Sequence, residues 1–182
     1  LEIAEDIGAD ACAKYVKDFS QRYPDFPVPD TLAQGKLTPA PKFVRNWVEG
    51  DYGIVEVFRP EVKNALSKQP IAEIDRAFAE FAENAAVKGV VFTSFAGALA
   101  GADILELARL PDAESARNIC NETHPVMMRM ARYNKPIVAA LAGPVMGGGA
   151  EFSMACRSRV VAKKLLLRQP GVNLGIKQRY GG

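Results

Sequence analysis

Glu151 follows a run of three glycines, 147–149, in the middle of an apolar stretch. The segment 137–141 before the glycines predicts a buried strand, and the segment 152–156 after them predicts a helix. Glycine has no β-carbon, so the N–H groups of such a turn can face a ligand oxygen at the positive end of the helix, with the Glu151 carboxyl group beside them. The glycines alone are equally typical of a tight, closely packed strand-to-helix connection.

The composition is that of a globular protein with one substantial core. Of the 182 residues, 48% are apolar, and no apolar run reaches the roughly 20 residues that span a bilayer. The 23 basic and 21 acidic residues leave a net charge of +2, so we expect neither nucleic-acid nor membrane partners. The three cysteines are widely spaced and His124 is the only histidine, so we expect no disulfide framework, no metal site and a cytoplasmic location.

Helical and strand patterns alternate along the chain. An amphipathic helix is predicted over 3–19, and five prolines between 23 and 42 indicate an extended connection with a domain boundary near 40–51. The order of the remaining elements predicts an α/β layer fold with parallel strand pairing. Those elements are strands at 53–58, 89–93, 137–141 and 159–162, and helices at 69–84, from 104, and at 112–133, the last bent or broken near Pro125.

Two further loops accompany the glycine turn. One, at 59–66, has the sequence Arg-Pro-Glu-Val-Lys-Asn-Ala-Leu, and the other, at 100–103, has the sequence Ala-Gly-Ala-Asp. In this order, and with the stretch 135–151, they closely resemble the crotonase family, the enoyl-CoA hydratases and isomerases. The resemblance covers residues 51–176. It implies a ββα spiral fold, an acyl-CoA thioester as the substrate and no cofactor in this part of the protein.

The resemblance implies roles for particular residues. The N–H groups of Ala102 and Gly148 match the family's oxyanion hole, where two donors hold the thioester oxygen as it becomes an enolate. Glu151 matches the first of the hydratase's two catalytic glutamates. The small residues Ala100 and Gly101 would let a flat ligand approach the backbone. The positions expected to bind the substrate are Lys63, Asn64, Ala65, Leu66, Ala100, Gly101, Asp103 and Gly147.

Two of these positions have an alternative role. Lys63 could contact a phosphate of the substrate or remain a solvated surface lysine. Asp103 could cap the helix that follows it instead of contacting a ligand.

The chain departs from the family at the second glutamate. Where active hydratases have Gln-Pro-Glu, this chain has Gln169-Pro170-Gly171. Hydration needs a base for the water and an acid for the α-carbon, and loss of either typically costs roughly 10²- to 10⁴-fold in rate. The leading expectation is an enoyl-CoA hydratase. The alternatives are an isomerase or another enolate reaction that uses Glu151 alone, or a catalytically degenerate acyl-CoA-binding module.

The N-terminal segment has a resemblance of its own. Residues 4–10, 23–29 and 32–37 look like the closing helical part of 3-hydroxyacyl-CoA dehydrogenases, as in fused dehydrogenase/hydratase enzymes of fatty-acid β-oxidation. This implies two domains, 1–45 and 46–182, and a longer polypeptide. No strand is followed by Gly-x-Gly-x-x-Gly, so NAD is expected only at a dehydrogenase domain outside this chain. Family analogy implies a trimer-based homo-oligomer.

Overall fold

The computed structural model describes residues 9–24 and 43–174, and the chain divides into two compact units, Leu1–Pro41 and Lys42–Gly182. In the first unit the structure describes one helix, α1, which spans Ala9–Arg22. The predicted start of this helix at residue 3 and the proline-rich segment 25–42 lie outside the described residues. None of the helices described in either unit is long and apolar enough to cross a membrane.

The second unit alternates strands and helices along the chain. Among its residues 43–174, three short 3₁₀ helices occur in the loops, at Pro60–Val62, Phe95–Gly97 and Pro170–Leu174. The strands and helices, in chain order, are β1 Val44–Glu49, β2 Tyr52–Val57, α2 Lys68–Glu83, β3 Gly89–Ser94, α3 Ile104–Ala108, α4 Ala113–Ala131, β4 Ile137–Leu141, β5 Val145–Met146, α5 Gly148–Ala155, β6 Ser158–Val161 and β7 Leu167–Arg168.

Five strands form the main sheet in the order β1-β2-β3-β4-β6, and β5 pairs with β7 in a separate two-stranded sheet. β2, β3, β4 and β6 are parallel, which confirms the predicted α/β pairing. The register aligns Val55, Phe92 and Ala139 across three neighbouring strands, and all three side chains are fully buried. Such a ladder places the apolar core at the centre of the parallel strands.

Strand β1, which the sequence did not predict, lies within the segment 40–51 where a domain boundary was expected. Only its first residue, Val44, is buried, so the strand lacks the alternation of apolar and polar residues that marks a half-buried strand. A hydrogen-bonded contact with a residue distant in sequence helps to hold the start of the strand. One carboxylate oxygen of Glu73 in α2 accepts hydrogen bonds from the N–H groups of Phe43 and Val44, both at 2.8 Å.

The helix predicted at 69–84 is confirmed as α2, and its large apolar residues are buried. Ile71, Ile74, Phe78 and Phe81 are each at most 5% exposed and belong to the main core. Ser67 is the N-cap residue of α2, but its side chain makes no capping hydrogen bond.

The sequence predicted a helix bent or broken near Pro125, and α4 continues through this residue, so it is not broken there. Pro125 removes the N–H group that would bond the carbonyl of Asn121. Both residues are exposed, so water can solvate that carbonyl and the helix need not end.

Burial of the Cys156 thiol predicts a loss of stability at alkaline pH. Burial raises its pKa to about 12, partly opposed by Arg159. The folded-state pKa thus exceeds the unfolded value of about 8.5. The contribution of the buried, protonated thiol to the free energy of unfolding is therefore complete below about pH 8.5 and is lost as the pH rises toward 12. Urea unfolding of Cys156→Ala between pH 8 and 11 should therefore show a shallower decline than wild type. The control is Cys120→Ala, and equal declines in wild type and Cys156→Ala would contradict the prediction.

Candidate active site

Three loops of the second unit meet at one edge of the main sheet. They follow β2, β3 and β4, which are parallel, so the carboxyl ends of all three strands lie at the same edge. The loop 59–66 and the glycine turn at 147–149 are therefore brought beside the loop 95–103. This edge is where open parallel sheets place their ligands.

The loop between β3 and α3 is joined to β5 on one side. Leu99 pairs with Val145 in an isolated parallel bridge. Its N–H group donates to the carbonyl of Pro144 at 2.8 Å, and its carbonyl accepts from the N–H group of Met146 at 2.9 Å. These bonds set the position of the loop relative to the glycine turn that follows Met146.

The same loop is joined to the loop 59–66 on its other side. Leu66 pairs with Ala102 in a second parallel bridge. The N–H group of Leu66 donates to the carbonyl of Gly101 at 2.6 Å, and the N–H group of Asp103 donates to the carbonyl of Leu66 at 3.0 Å. Ala102 therefore uses neither its own N–H group nor its carbonyl in this bridge.

The N–H groups of Ala102 and Gly148 have no hydrogen-bond acceptor among residues 9–24 and 43–174. The two peptide segments are in close contact. A β-carbon added at Gly101 would lie 2.4 Å from the carbonyl oxygen of Met146 and 2.9 Å from the nitrogen of Gly148. Gly148 is also the first residue of α5, where N–H groups lack intrahelical partners. Two free donors thus stand on adjoining backbone segments.

Glu151 lies in the first turn of α5, as the sequence predicted. The residue is only 4% exposed, and its Oε2 atom has no hydrogen-bond donor within the described part of the chain. Buried carboxylate oxygens are normally hydrogen-bonded, because an unsatisfied one costs free energy. The Oε2 atom is thus an unused acceptor at the helix terminus that carries the Gly148 donor.

The segment that follows β6 holds the glycine turn in place. The N–H group of Gly147 donates to the carbonyl of Arg168 at 2.9 Å, and the amide of Gln169 donates to the carbonyl of Gly147 at 3.4 Å. Gly147 has φ +48°, a conformation that favours glycine. The turn itself begins after the short strand β5, which the sequence did not predict, rather than directly after β4.

The family of the chain follows from its similarity to known proteins. The sequence model of the enoyl-CoA hydratase/isomerase family matches residues 52–182. The chain belongs to this family. The crotonase resemblance is thereby confirmed.

Individual relatives agree with the family match. The chain is 34% identical over 137 residues to a short-chain-enoyl-CoA hydratase of Clostridium acetobutylicum, covering 74% of this chain and 52% of that protein. It is 35% identical over 126 residues to the fatty acid oxidation complex subunit alpha of Shewanella frigidimarina, covering 67% of this chain and 18% of that protein.

Among solved structures, the enoyl-CoA hydratase of Thermoplasma volcanium superposes with a TM-score of 0.71 at 28% identity, covering 75% of this chain and 54% of that one. This likeness confirms an α/β fold of the crotonase type. The chain spans about half the length of the hydratases that it matches.

Asn64 is one of the positions expected to bind the substrate, and its side chain bonds the two neighbouring loops. It is 1% exposed, and its Oδ1 atom accepts from the N–H group of Arg59 at 2.8 Å. Its amide nitrogen donates to the carbonyls of Phe95 and Ala98, each at 2.8 Å. The side chain therefore fixes the loop 59–66 to the loop 95–103, and both of its polar atoms are bonded within the protein.

The neighbours of Asn64 differ in the exposure of their side chains. Ala65 and Leu66 are 6% and 0% exposed, so their side chains are packed inside the protein. Lys63 is exposed, and its ammonium group makes no hydrogen bond with the described residues. Its side chain is available to a ligand phosphate, whereas those of Ala65 and Leu66 are not.

Asp103 takes the capping role that the sequence left as an alternative. Its Oδ1 atom accepts from the N–H groups of Leu105 and Glu106, at 3.0 and 3.4 Å, at the start of α3. Its Oδ2 atom lies 3.2 Å from the guanidinium group of Arg59. Both carboxylate oxygens are thus used within the protein, and Arg59 is a partner that sequence reasoning missed.

The absence of a side chain at Gly101 has a different reason from the one the sequence suggested. The space that its β-carbon would fill is taken by Met146 and Gly148, not left open for a flat ligand. Gly101 also has φ +89°. Ala100 is half-buried, and its N–H group donates to the carbonyl of Lys63 at 3.1 Å.

The structure also has a cavity apart from this site. A cavity of about 320 Å³ lies at the other end of β4, against Pro136 and Cys156, and includes neither Glu151 nor the glycine turn. Over residues 9–24 and 43–174, no group of three or more His, Cys, Asp or Glu residues could hold a metal ion.

Proposed function

We propose that the chain binds an acyl-CoA thioester and hydrates trans-2-enoyl-CoA to 3-hydroxyacyl-CoA. The observation that supports this is the pair of unpartnered N–H groups of Ala102 and Gly148, with the unpartnered Oε2 atom of Glu151 on the same helix terminus. The two donors would hold the thioester oxygen while Glu151 positions or deprotonates the water. Preorganised donors at developing negative charge are commonly worth about 3 kcal/mol each.

The reaction joins the water oxygen to the β-carbon and leaves negative charge on the thioester oxygen. A proton must then reach the α-carbon. Gly171, at the position of the second glutamate, has no acid to supply that proton. Hydration by this chain is therefore expected to be slow compared with that of an enzyme with both glutamates.

Gly171 also favours a second candidate. An isomerase moves a proton between two carbons of the same enolate, so one carboxyl group can remove it and return it. Glu151 alone would suffice for this reaction. A catalytically degenerate acyl-CoA-binding module would retain the two N–H donors and show no turnover.

Crotonyl-CoA hydration by wild type and Gly171→Glu tests these candidates. The substitution should raise the rate of hydration by roughly tenfold. This increase is smaller than the effect of a native catalytic acid, because the residues around position 171 have not been selected to orient the new carboxyl group. Val172→Glu is the matched control, because it adds the same charge one residue away on an exposed side chain.

Three outcomes separate the candidates. Hydration above background that Gly171→Glu increases supports the hydratase. Conversion of a 3-enoyl-CoA without hydration supports the isomerase. Binding of the thioester with neither reaction rejects both and leaves the binding module.

We further propose that residues 1–45 are the end of a 3-hydroxyacyl-CoA dehydrogenase domain and that residues 46–182 are a crotonase domain of a longer, bifunctional β-oxidation protein. The family match begins only at residue 52, and α1 lies in a separate compact unit. Intact mass of the native protein tests this, because a mass of 19.7 kDa would reject the fused arrangement. Light scattering would show whether it forms the expected trimer-based oligomer.

A further inference from the structure

We propose that Arg59 is a positioning residue for the oxyanion hole, because its guanidinium group bonds the residues on both sides of Leu66 and the residue after Ala102. The proposal rests on the proposed function, in which the Ala102 N–H group holds the thioester oxygen. It assigns Arg59 no contact with the substrate.

The guanidinium group connects the two loops that form the Leu66–Ala102 bridge. Its Nη1 atom donates to the carbonyl of Ala65 at 2.8 Å and to the hydroxyl of Ser67 at 3.2 Å. Its Nη2 atom donates to the Oδ2 atom of Asp103 at 3.2 Å. Arg59 therefore bonds the residue before Leu66, the residue after it, and the residue after Ala102.

The bridge that Arg59 surrounds determines where the Ala102 N–H group points. Leu66 bonds the carbonyl of Gly101 and the N–H group of Asp103, which lie on either side of Ala102. These two bonds fix the peptide planes around Ala102, so its N–H group faces away from Leu66. A shift of the loop 59–66 would rotate this donor.

Burial makes the Arg59 network rigid. The side chains of Arg59 and Asp103 are only 12% and 13% exposed, so solvent screens their interaction less than that of a surface pair. The guanidinium group also lies over the ring of Phe43, 4.7 Å from its centroid. A lysine cannot reproduce this arrangement, because its single ammonium group lacks the planar fork that bonds several acceptors at fixed angles.

Catalysis depends on that rigidity. Donors of an oxyanion hole must lie about 2.7–3.1 Å from the developing charge, and a displacement of about 1 Å can cost roughly 10²-fold in rate. Arg59→Met and Arg59→Lys should each lower kcat by about ten- to a hundredfold with little change in KM. The side chain would act through Ala102 and not through substrate binding.

The direct test is the absorption spectrum of cinnamoyl-CoA bound at saturation to the native protein. Hydrogen bonds to its carbonyl oxygen polarise the conjugated system and move the absorption band to longer wavelength. The wild-type protein should show this red shift, Arg59→Met should lose most of it, and Arg59→Lys should retain an intermediate shift. A merely structural role would lower stability without changing the spectrum of the folded, saturated protein.

Arg45→Met is the matched control. Arg45 also lies over an aromatic ring, that of Phe58 at 3.2 Å, and forms an ion pair with Glu56 at 3.7 Å. It contacts neither loop of the bridge, so its variant should keep the wild-type red shift. A full red shift in both Arg59 variants would overturn the proposal. Bound cinnamoyl-CoA without a red shift in wild type would instead overturn the proposed oxyanion hole itself.

Discussion

Glu151→Gln is expected to lower the rate of crotonyl-CoA hydration by about 10²- to 10⁴-fold while the protein stays folded and still binds the thioester. Glutamine keeps the size and shape of the side chain but can neither deprotonate water nor return a proton. The two N–H donors of Ala102 and Gly148 are backbone groups and remain in place. The loss should therefore appear in kcat and not in KM.

The thermal stability of Glu151→Gln distinguishes a catalytic role of Glu151 from a structural one. Its Oε2 atom is buried and accepts no hydrogen bond from the described residues, so neutralising the carboxylate breaks no such bond. A buried carboxylate oxygen without a donor destabilises the folded state. The thermal midpoint of Glu151→Gln should therefore equal or exceed that of wild type.

Glu114→Gln is the matched control for this experiment. Glu114 also lies in the first turn of a helix, α4, but its side chain is exposed and belongs to none of the three loops. It should keep the wild-type rate. If Glu151→Gln retained more than about a tenth of the rate, Glu151 would not be the catalytic acid or base.

The elements that could be predicted from the sequence are those whose local pattern matches their burial. α2 has Ile74, Phe78 and Phe81 on one face because helical spacing places them there, and that face is buried. β1 has no such pattern, because five of its six residues are not buried and its first residue is held by Glu73 about thirty residues away. Hydrophobic periodicity cannot reveal a strand that is held by antiparallel pairing with β2 and by a carboxylate distant in sequence.

The same distinction applies within the candidate site. Glu151 and the glycine turn are neighbours in the sequence, so their proximity was predictable. The ion pair of Arg59 and Asp103 joins residues 44 positions apart, and the close approach of Gly101 to Met146 depends on how the loops cross. Side chains that position the backbone become recognisable only when the loops are seen together.

Gly101→Ala is expected to damage both the fold and the proposed oxyanion hole. The added β-carbon would meet the carbonyl oxygen of Met146 at 2.4 Å and the nitrogen of Gly148 at 2.9 Å, and both are backbone atoms that cannot rotate away. The loops must therefore separate, which moves the Gly148 donor relative to Ala102. Overpacking of this kind costs about 1–3 kcal/mol in stability, and the loss of one donor costs about 10²- to 10³-fold in kcat.

Gly50→Ala separates this clash from the conformational cost of the substitution. Gly50 also has a positive φ, +57°, but a β-carbon there meets no atom within 4 Å. It should lose only the roughly 1–2 kcal/mol that alanine costs in a left-handed conformation, with the hydration rate unchanged. Urea unfolding and crotonyl-CoA hydration of both variants measure the difference. Equal losses of stability and rate in the two variants would show that the contact between Gly101 and the glycine turn neither supports the fold nor positions the donor.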